Sequence, residues 1–207
     1  MTGDSIGPVA DIYAAMLAEH GPTPLGVGWN DWARQRLSFE TLCAVIPPDA
    51  TGQTINDLGC GYGALFDFLA PLPALEGGLY YGWDAAPAMI EAAKARIADP
   101  RVNFAVARQP LAGADWSFAS GIWNIKLDAP TADWERVIAE GMRALAFASR
   151  RGYAFNMLST RGPAREEEIH LGDPARWLAF CRDNLPGRPE LVEDYGLPEF
   201  TIRVRLP

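Results

Sequence analysis

The sequence is short of the residues that build metal centres and disulfide frameworks. Only two histidines, His20 and His170, occur in 207 residues, too few for a multi-histidine metal site, and no metal is expected. The three cysteines, Cys43, Cys60 and Cys181, form no CxxC pair, and their odd number leaves one thiol unpaired in any disulfide scheme. Reduced thiols in a cytoplasmic protein are the simple expectation. Basic charge is also scarce: 18 Lys and Arg stand against 26 Asp and Glu, a formal net charge of −8, with an isoelectric point near 4.8. Proteins that grip a phosphate backbone rely on clustered Lys and Arg, and the longest basic cluster here is Arg150 with Arg151, so nucleic acid is not an expected partner. Nothing approaches the ~18 uninterrupted apolar residues of a membrane span. The opening MTGDSIGPVADIY has no basic stretch followed by an apolar one, so neither export nor a membrane partner is expected.

What remains is the composition of a folded domain, 49% hydrophobic and 21% charged, long enough to bury a core that needs no staple. The organisation is strand then helix. Residues Gln53 to Leu58, Leu79 to Trp83, Val102 to Val106, Ser117 to Trp123 and Tyr153 to Leu158 are short, apolar and bounded by turn residues, as buried strands are. Between them, Pro87 to Ile97 places Met89, Ile90, Ala93 and Ile97 along one helical face. Ala132 to Ser149, with Thr131 as N-cap, does the same with Trp134, Val137, Ile138, Met142 and Leu145. Such alternation predicts an α/β fold with a mostly parallel sheet and helices on both faces, binding ligands outside the carboxyl ends of the strands. Leu191 to Tyr195 and Phe200 to Arg205 break the pattern and predict a closing antiparallel hairpin. Helical segments from about Ser5 to His20 and Asp31 to Ile46 precede the first strand. We therefore expect an N-terminal helical lid over residues 1–50 and a ligand-binding core over 51–207, together one compact domain.

The first strand ends in Asp57 and is followed by Gly59, Gly61, Gly63 and the helix-like ALFDFLA. Three glycines at a strand-to-helix turn permit unusual dihedrals and close approach of a ligand to the backbone. Their spacing is GxGxG, so the pyrophosphate reading of GxGxxG is not implied; a plain turn would also use glycines. The second strand ends at Asp84, where a carboxylate accepts hydrogen bonds from both hydroxyls of a ribose, or caps the helix that starts at Pro87.

The stretches INDLGCGYGALFDFL and YYGWDAAPAMIEAAKARI resemble the first two motifs of class I S-adenosylmethionine (SAM)-dependent methyltransferases. FASGIWNIKL and YAFNMLS resemble the strands that follow in a branch of small bacterial members. The resemblance covers roughly residues 25 to 205. It implies a Rossmann-like seven-stranded sheet in the order 3-2-1-4-5-7-6 and SAM as cofactor. It further implies that Asp57, Gly59, Gly61 and Gly63 line the methionine side, Asp84 the ribose, and Ala85 and Met89 the adenine. One departure is plain: the superfamily often has an acidic residue after the third strand for the adenine amino group, where this chain has Ala107, Arg108 and Gln109. Arginine cannot accept a hydrogen bond.

For chemistry, Asn124 follows the fourth strand, where family members face the transferred methyl, and Asn156 lies within the fifth. His170, in the run EEEIHLGDP, is the candidate general base, with Asp173 beside it; a solvated loop histidine is the alternative. Tyr13, Trp29, Trp32, Tyr62 and Trp123 are either packing or a cradle for the sulfonium. The expected activity is methyl transfer to oxygen or nitrogen of a small-molecule acceptor. Two alternatives stand beside it: a SAM-consuming cyclase releasing methylthioadenosine, since azetidine-2-carboxylate synthases resemble small methyltransferases, and a non-catalytic SAM-binding protein. Nothing in the sequence selects an oligomeric state.

Overall fold

The computed structural model describes residues 4–207. Two helices, α1 (Ile6–His20) and α2 (Trp32–Cys43), precede the first strand. There follow β1 (Thr54–Leu58), α3 (Ala64–Leu69), β2 (Leu79–Asp84), α4 (Pro87–Arg96), β3 (Val102–Val106), β4 (Ala114–Ser120), α5 (Thr131–Ala148), β5 (Ser149–Leu158), α6 (Pro174–Asn184), β6 (Arg188–Val192) and β7 (Glu199–Arg205). The strands form one sheet in the order β3-β2-β1-β4-β5-β7-β6. All pair in parallel except β7, which runs antiparallel to β5 and β6. Order and hairpin are those expected.

Period-two alternation sends neighbouring residues to opposite faces, and both faces are covered. Trp116, Phe118 and Ala154 join the core built with Phe39 and Leu42 of α2, Leu65 and Phe66 of α3 and Ile90 of α4. Ala119, Tyr153 and Phe155 join the one built with Trp134, Ile138 and Met142 of α5 and Trp177 of α6. Burial on both sides is why these strands read as nearly continuous apolar runs. One polar exception is Asn56, fully buried in β1. It donates to the Ala112 carbonyl at 2.8 Å and accepts from the Trp83 indole at 2.9 Å, so its burial leaves no unmet hydrogen bond at those groups. The two N-terminal helices differ: α2 buries Phe39, Leu42 and Cys43, whereas α1 buries only Val9.

Several boundaries depart from the sequence reading. The fourth strand runs from Ala114 to Ser120, not Ser117 to Trp123. It starts early because Asp115 is tied across to the backbone and hydroxyl of Thr54 at 2.8 and 2.7 Å. It stops early because Gly121 turns the chain at φ 69° and gives its N–H to the Asn156 side chain at 2.6 Å. The fifth strand begins at Ser149, with Arg150 and Arg151 beside the Asp115 carboxylate. Thr131 is the first helical residue of α5 and makes no cap; Pro130 occupies the cap position. The hairpin strand β6 is Arg188–Val192, leaving Tyr195 in the turn before β7. Helix α6 was not expected. Asp173 caps it by accepting from the Ala175 and Arg176 amides, with Pro174 in the first turn, a favourable start. No helix among the described residues is long and apolar enough to cross a membrane.

Candidate active site

A cavity of about 1000 Å³ opens at the carboxyl ends of β1, β2 and β4, where the strand order reverses direction from β1 and ligands of such sheets bind. Asp57, Gly59, Gly61, Asp84, Ala85 and Met89 all line it. The turn after β1 is closed by Gly59 and Cys60, both giving their N–H to the Trp83 carbonyl at 2.6 and 3.1 Å. Gly59 sits at φ 73°, and a Cβ there would meet Ile122 Cγ2 at 2.1 Å. Any side chain at Gly59 is therefore excluded by packing as well as by dihedral. Gly63 does not line the cavity, which corrects the expected placement of all three glycines along the ligand. It stands at φ 87° ahead of α3, and a Cβ would run into Ile97 and Phe104 behind the turn at 2.6 and 3.1 Å. Its glycine serves the packing of the helix start.

Asp84 holds the cradle together. One carboxylate oxygen accepts from the Gly61 amide at 2.9 Å, and the other from the Ala86 amide at 2.8 Å. The N-cap position of α4 is Ala86, so Asp84 braces the loop rather than capping the helix. Each oxygen retains a lone pair for a further donor. Burial raises the Asp84 pKa above the usual carboxylate value, opposed by the backbone N–H groups that favour the charged form. Asp57, 2% exposed, accepts a hydrogen bond from the Tyr80 hydroxyl. Burial pushes its carboxyl up to about 7, the Tyr80 bond pulls it down, and nearby Asp84 adds to the rise.

At the end of β3, Ala107, Arg108 and Gln109 line the cavity. Arg108 is engaged in a paired contact with Asp4, both nitrogens at 2.7 Å, which ties the N-terminal segment to the sheet. That pair is about half exposed, so it positions more than it stabilises. Among the aromatic candidates, Tyr13, Trp29, Tyr62 and Trp123 line the cavity. Trp32 does not; it lies edge-on to Phe39 with 41% of its surface exposed.

Asn124 lines the cavity four residues beyond the end of β4. Its side-chain oxygen accepts from the Leu158 amide at 3.0 Å. Its backbone carbonyl accepts from the His170 amide at 2.8 Å. His170 itself departs from the expected position in the acceptor wall: it is 3% exposed and lies outside the cavity lining, and its Nε2 has no partner. Burial lowers its pKa, and it is not the solvated loop histidine of the alternative either. The charges of Glu135, Lys126 and Arg176 act on it, and Asp173 is committed to the helix cap. Asn156 is fully buried between Gly121, whose amide it accepts, and the hydroxyls of Ser38 and Ser120, to which it donates at 2.6 and 3.3 Å.

One group went unnoticed in the sequence. Glu199, 5% exposed, lines the same cavity at the first residue of β7. Its Oε1 accepts from Ser38 at 2.6 Å and Tyr195 at 2.9 Å, and burial pushes its carboxyl up to about 7. The only sequence signal was an acidic residue beside a strand otherwise read as apolar.

Residues 55–147 match the family model described as "Methyltransferase domain". The chain is 38% identical over 156 residues to "Putative methyltransferase Rv1506c" of Mycobacterium tuberculosis, covering 73% of this chain and 92% of that protein. Among solved structures, the Synechocystis magnesium protoporphyrin IX methyltransferase with bound S-adenosylhomocysteine (SAH) aligns at a TM-score of 0.69 and 15% identity. That alignment covers 99% of this chain and 100% of the other. The DhpI–SAH complex aligns at 0.65 and 17%, over 100% and 98% of the chains. At these identities the structural likeness speaks for the fold.

Two outcomes follow from the cradle. Asp84→Ala should weaken SAM or SAH binding by about 1.5–3 kcal/mol, the loss expected for hydrogen bonds to a charged acceptor. Calorimetry on the folded variant checks it, and an unchanged dissociation constant would confine Asp84 to bracing the loop. The raised Asp57 carboxyl binds its proton more tightly folded than unfolded. Its contribution to stability is therefore present below about pH 4 and lost as pH rises to about 7. Asp57→Asn should gain stability relative to the wild type across that window, on the order of 2–4 kcal/mol. Urea titrations of both proteins at several pH values test this, and a difference that does not vary with pH would contradict it.

Proposed function

The chain belongs to the class I SAM-dependent methyltransferase family, and on that premise we propose that it transfers the methyl group to oxygen or nitrogen of a small-molecule acceptor. The observation that carries this reading is the continuity of the cavity. From the Gly59–Gly61 turn and Asp84 it extends without interruption to Trp29 and Gln35 of the N-terminal segment, to Asn124, and to Glu199. A volume of about 1000 Å³ is at the upper end for a single small-ligand site, and it suits a cofactor with a second small molecule beside it. The acidic net charge supports a metabolite-sized partner over nucleic acid.

In this reading Asp57, Gly59 and Gly61 hold the methionine end of the cofactor, Asp84 the ribose hydroxyls, and Ala85 and Met89 flank the adenine. Gln109 or a backbone carbonyl near it takes the adenine amino group in place of the missing acid. The residues fit the group: the glycine turn admits no side chain, and the Asp84 oxygens keep free lone pairs. When bound, SAM supplies a sulfonium methyl and departs as neutral SAH. The protein's task is then orientation and exclusion of water, which account for much of the rate of an in-line displacement. Of the expected lid, residues 1–3 lie outside the described residues; the segment 4–50 acts as the lid, with α2 fixed to the core and α1 the more loosely packed part. Asn124 orients the acceptor from the loop after β4. His170 acts from behind the wall, through the amide that holds the Asn124 carbonyl.

Incubation with SAM and candidate acceptors should yield SAH as coproduct; methylthioadenosine instead would establish the cyclase, and neither product a binding protein. With an active acceptor in hand, His170→Ala should lower turnover by less than about tenfold, against the 10²-fold or more of an essential general base. Asn124→Ala should cost more, through misplacement of the acceptor. A His170 variant that binds SAM normally and loses about a thousandfold in turnover would reverse these roles.

A further inference from the structure

We propose that Glu199 is the acceptor-binding carboxylate of this site and that the acceptor it selects is an amine, held by its N–H groups at Oε2. The inference rests on the methyl-transfer reading above and narrows it from oxygen or nitrogen to nitrogen.

The case begins with the hydrogen bonds of the carboxylate. Both of its donors, the Ser38 hydroxyl and the Tyr195 phenol, go to Oε1. Tyr195 is also within 2.9 Å of the Thr201 hydroxyl; since its own proton is given to Glu199, Thr201 donates to it. Ser38 receives the Asn156 amide, and Asn156 in turn accepts the Gly121 N–H at the end of β4. Glu199 is thus fixed on one side by a chain of hydrogen bonds reaching back to the turn beside the cofactor cradle. Oε2 takes part in none of them, and Glu199 lines the cavity.

The second strand of the argument is charge. Glu199 is 5% exposed, and among the described residues no Arg, Lys or His forms an ion pair with it. A carboxylate taken out of water against two neutral hydroxyls lacks a countercharge; burial raises its pKa, and the Ser38 and Tyr195 bonds only partly oppose the rise. Of the three basic residues lining the cavity, Arg34 and Arg108 are paired elsewhere, with Asp31 and Asp4, and Arg165 forms no ion pair with Glu199. Glu140 and Glu166 are further acidic residues in the cavity lining. A ligand cation would supply what the protein omits.

A third, independent observation lies on α2. Gln35 is three residues before Ser38, hence on the same helical face. It is 2% exposed, lines the same cavity, and its Oε1 has no donor. Two oxygens without donors in the lining of one cavity match a group with several N–H bonds, whereas a hydroxyl brings a single one. Trp29 and Phe39 in the same lining offer apolar surface to the body of such a molecule and aromatic faces to its charge.

An amine bound as its ammonium must lose a proton before its nitrogen can attack. Oε2 is the acceptor: an O–H bond forms, the N–H bond breaks, and its electron pair remains on nitrogen as the lone pair. A carboxyl poised near neutral pH holds that proton more readily than an exposed one.

The test uses the full chain saturated with SAH, so that the cradle is filled, and titrates it with benzylamine, benzyl alcohol and benzoate by NMR. The wild type should bind benzylamine at least about tenfold more tightly than the alcohol and benzoate least, as expected of a charge pair at a desolvated site. Glu199→Gln should bring amine and alcohol within about twofold of each other while leaving SAH affinity unchanged. Glu199→Asp, which keeps the charge but withdraws it from the cavity, should give an intermediate preference. Equal binding of amine and alcohol by the wild type, or a preserved amine preference in Glu199→Gln, overturns the inference alone, since SAH binding is measured in the same samples. Failure of SAH to bind the wild type overturns the methyl-transfer reading and this inference with it.

Discussion

A half-buried carboxylate bridging two loops is the constraint on which the site depends. Asp84, at the end of β2, takes the amides of Gly61 and Ala86 on separate oxygens, and so fixes the turn after β1 against the start of α4. Charge-assisted bonds of this kind are stronger than neutral ones, and the environment that makes them strong also raises the cost of the charge. The geometry of the turn follows. With Gly61 held to Asp84 and Gly59 held to the Trp83 carbonyl, Ile122 closes on the bare Cα of Gly59 from the β4 side. The cavity opens between the three strand ends. Sheet order, glycine positions and acidic residue are therefore one arrangement rather than three separate family marks.

The same edge of the sheet carries a second polar system. The antiparallel strand β7 starts where the parallel strand β5 ends, with Leu158 opposite Glu199, so its first residue reaches the carboxyl edge that parallel strands reach with their last. This topology puts an acidic side chain into the cavity lining without a loop insertion. Asn156 and Ser38 then connect it to Gly121. Two buried carboxyls, Asp57 in β1 and Glu199 in β7, both held up to about 7, thus line one cavity.

What could be read from the sequence was what local pattern encodes. Five strands, the amphipathic stripe of α5, the glycine turn and Asp84 each leave a mark within a few residues, whereas the strand order was implied by the family resemblance; of the five strands read as buried, β3 is an edge strand in which only Phe104 is buried. Boundaries set by long-range bonds were not readable. The early start of β4 depends on Asp115 meeting Thr54, and its early stop on Gly121 meeting Asn156. His170 resembled a wall residue because its burial is decided by how the segment before α6 folds inward, which no periodicity shows. Gly63 shared the spacing of its neighbours but faces Ile97 and Phe104, a distinction made only when α4 and β3 pack behind it. Glu199 was missed for the converse reason. A strand-terminal acid reads as solvent-facing until Ser38, from more than 150 residues earlier in the chain, and Tyr195 close over it.

The central claim is that the turn from Asp57 to Gly61, braced by Asp84, is built for an adenosyl sulfonium cofactor and not for a dinucleotide. The most direct test is a calorimetric titration of the unliganded protein with SAH and, separately, with NAD. The account predicts saturable one-to-one binding of SAH, accompanied by a rise in thermal stability as a ligand of the native state must produce, and no comparable binding of NAD. Tighter binding of NAD than of SAH would contradict it.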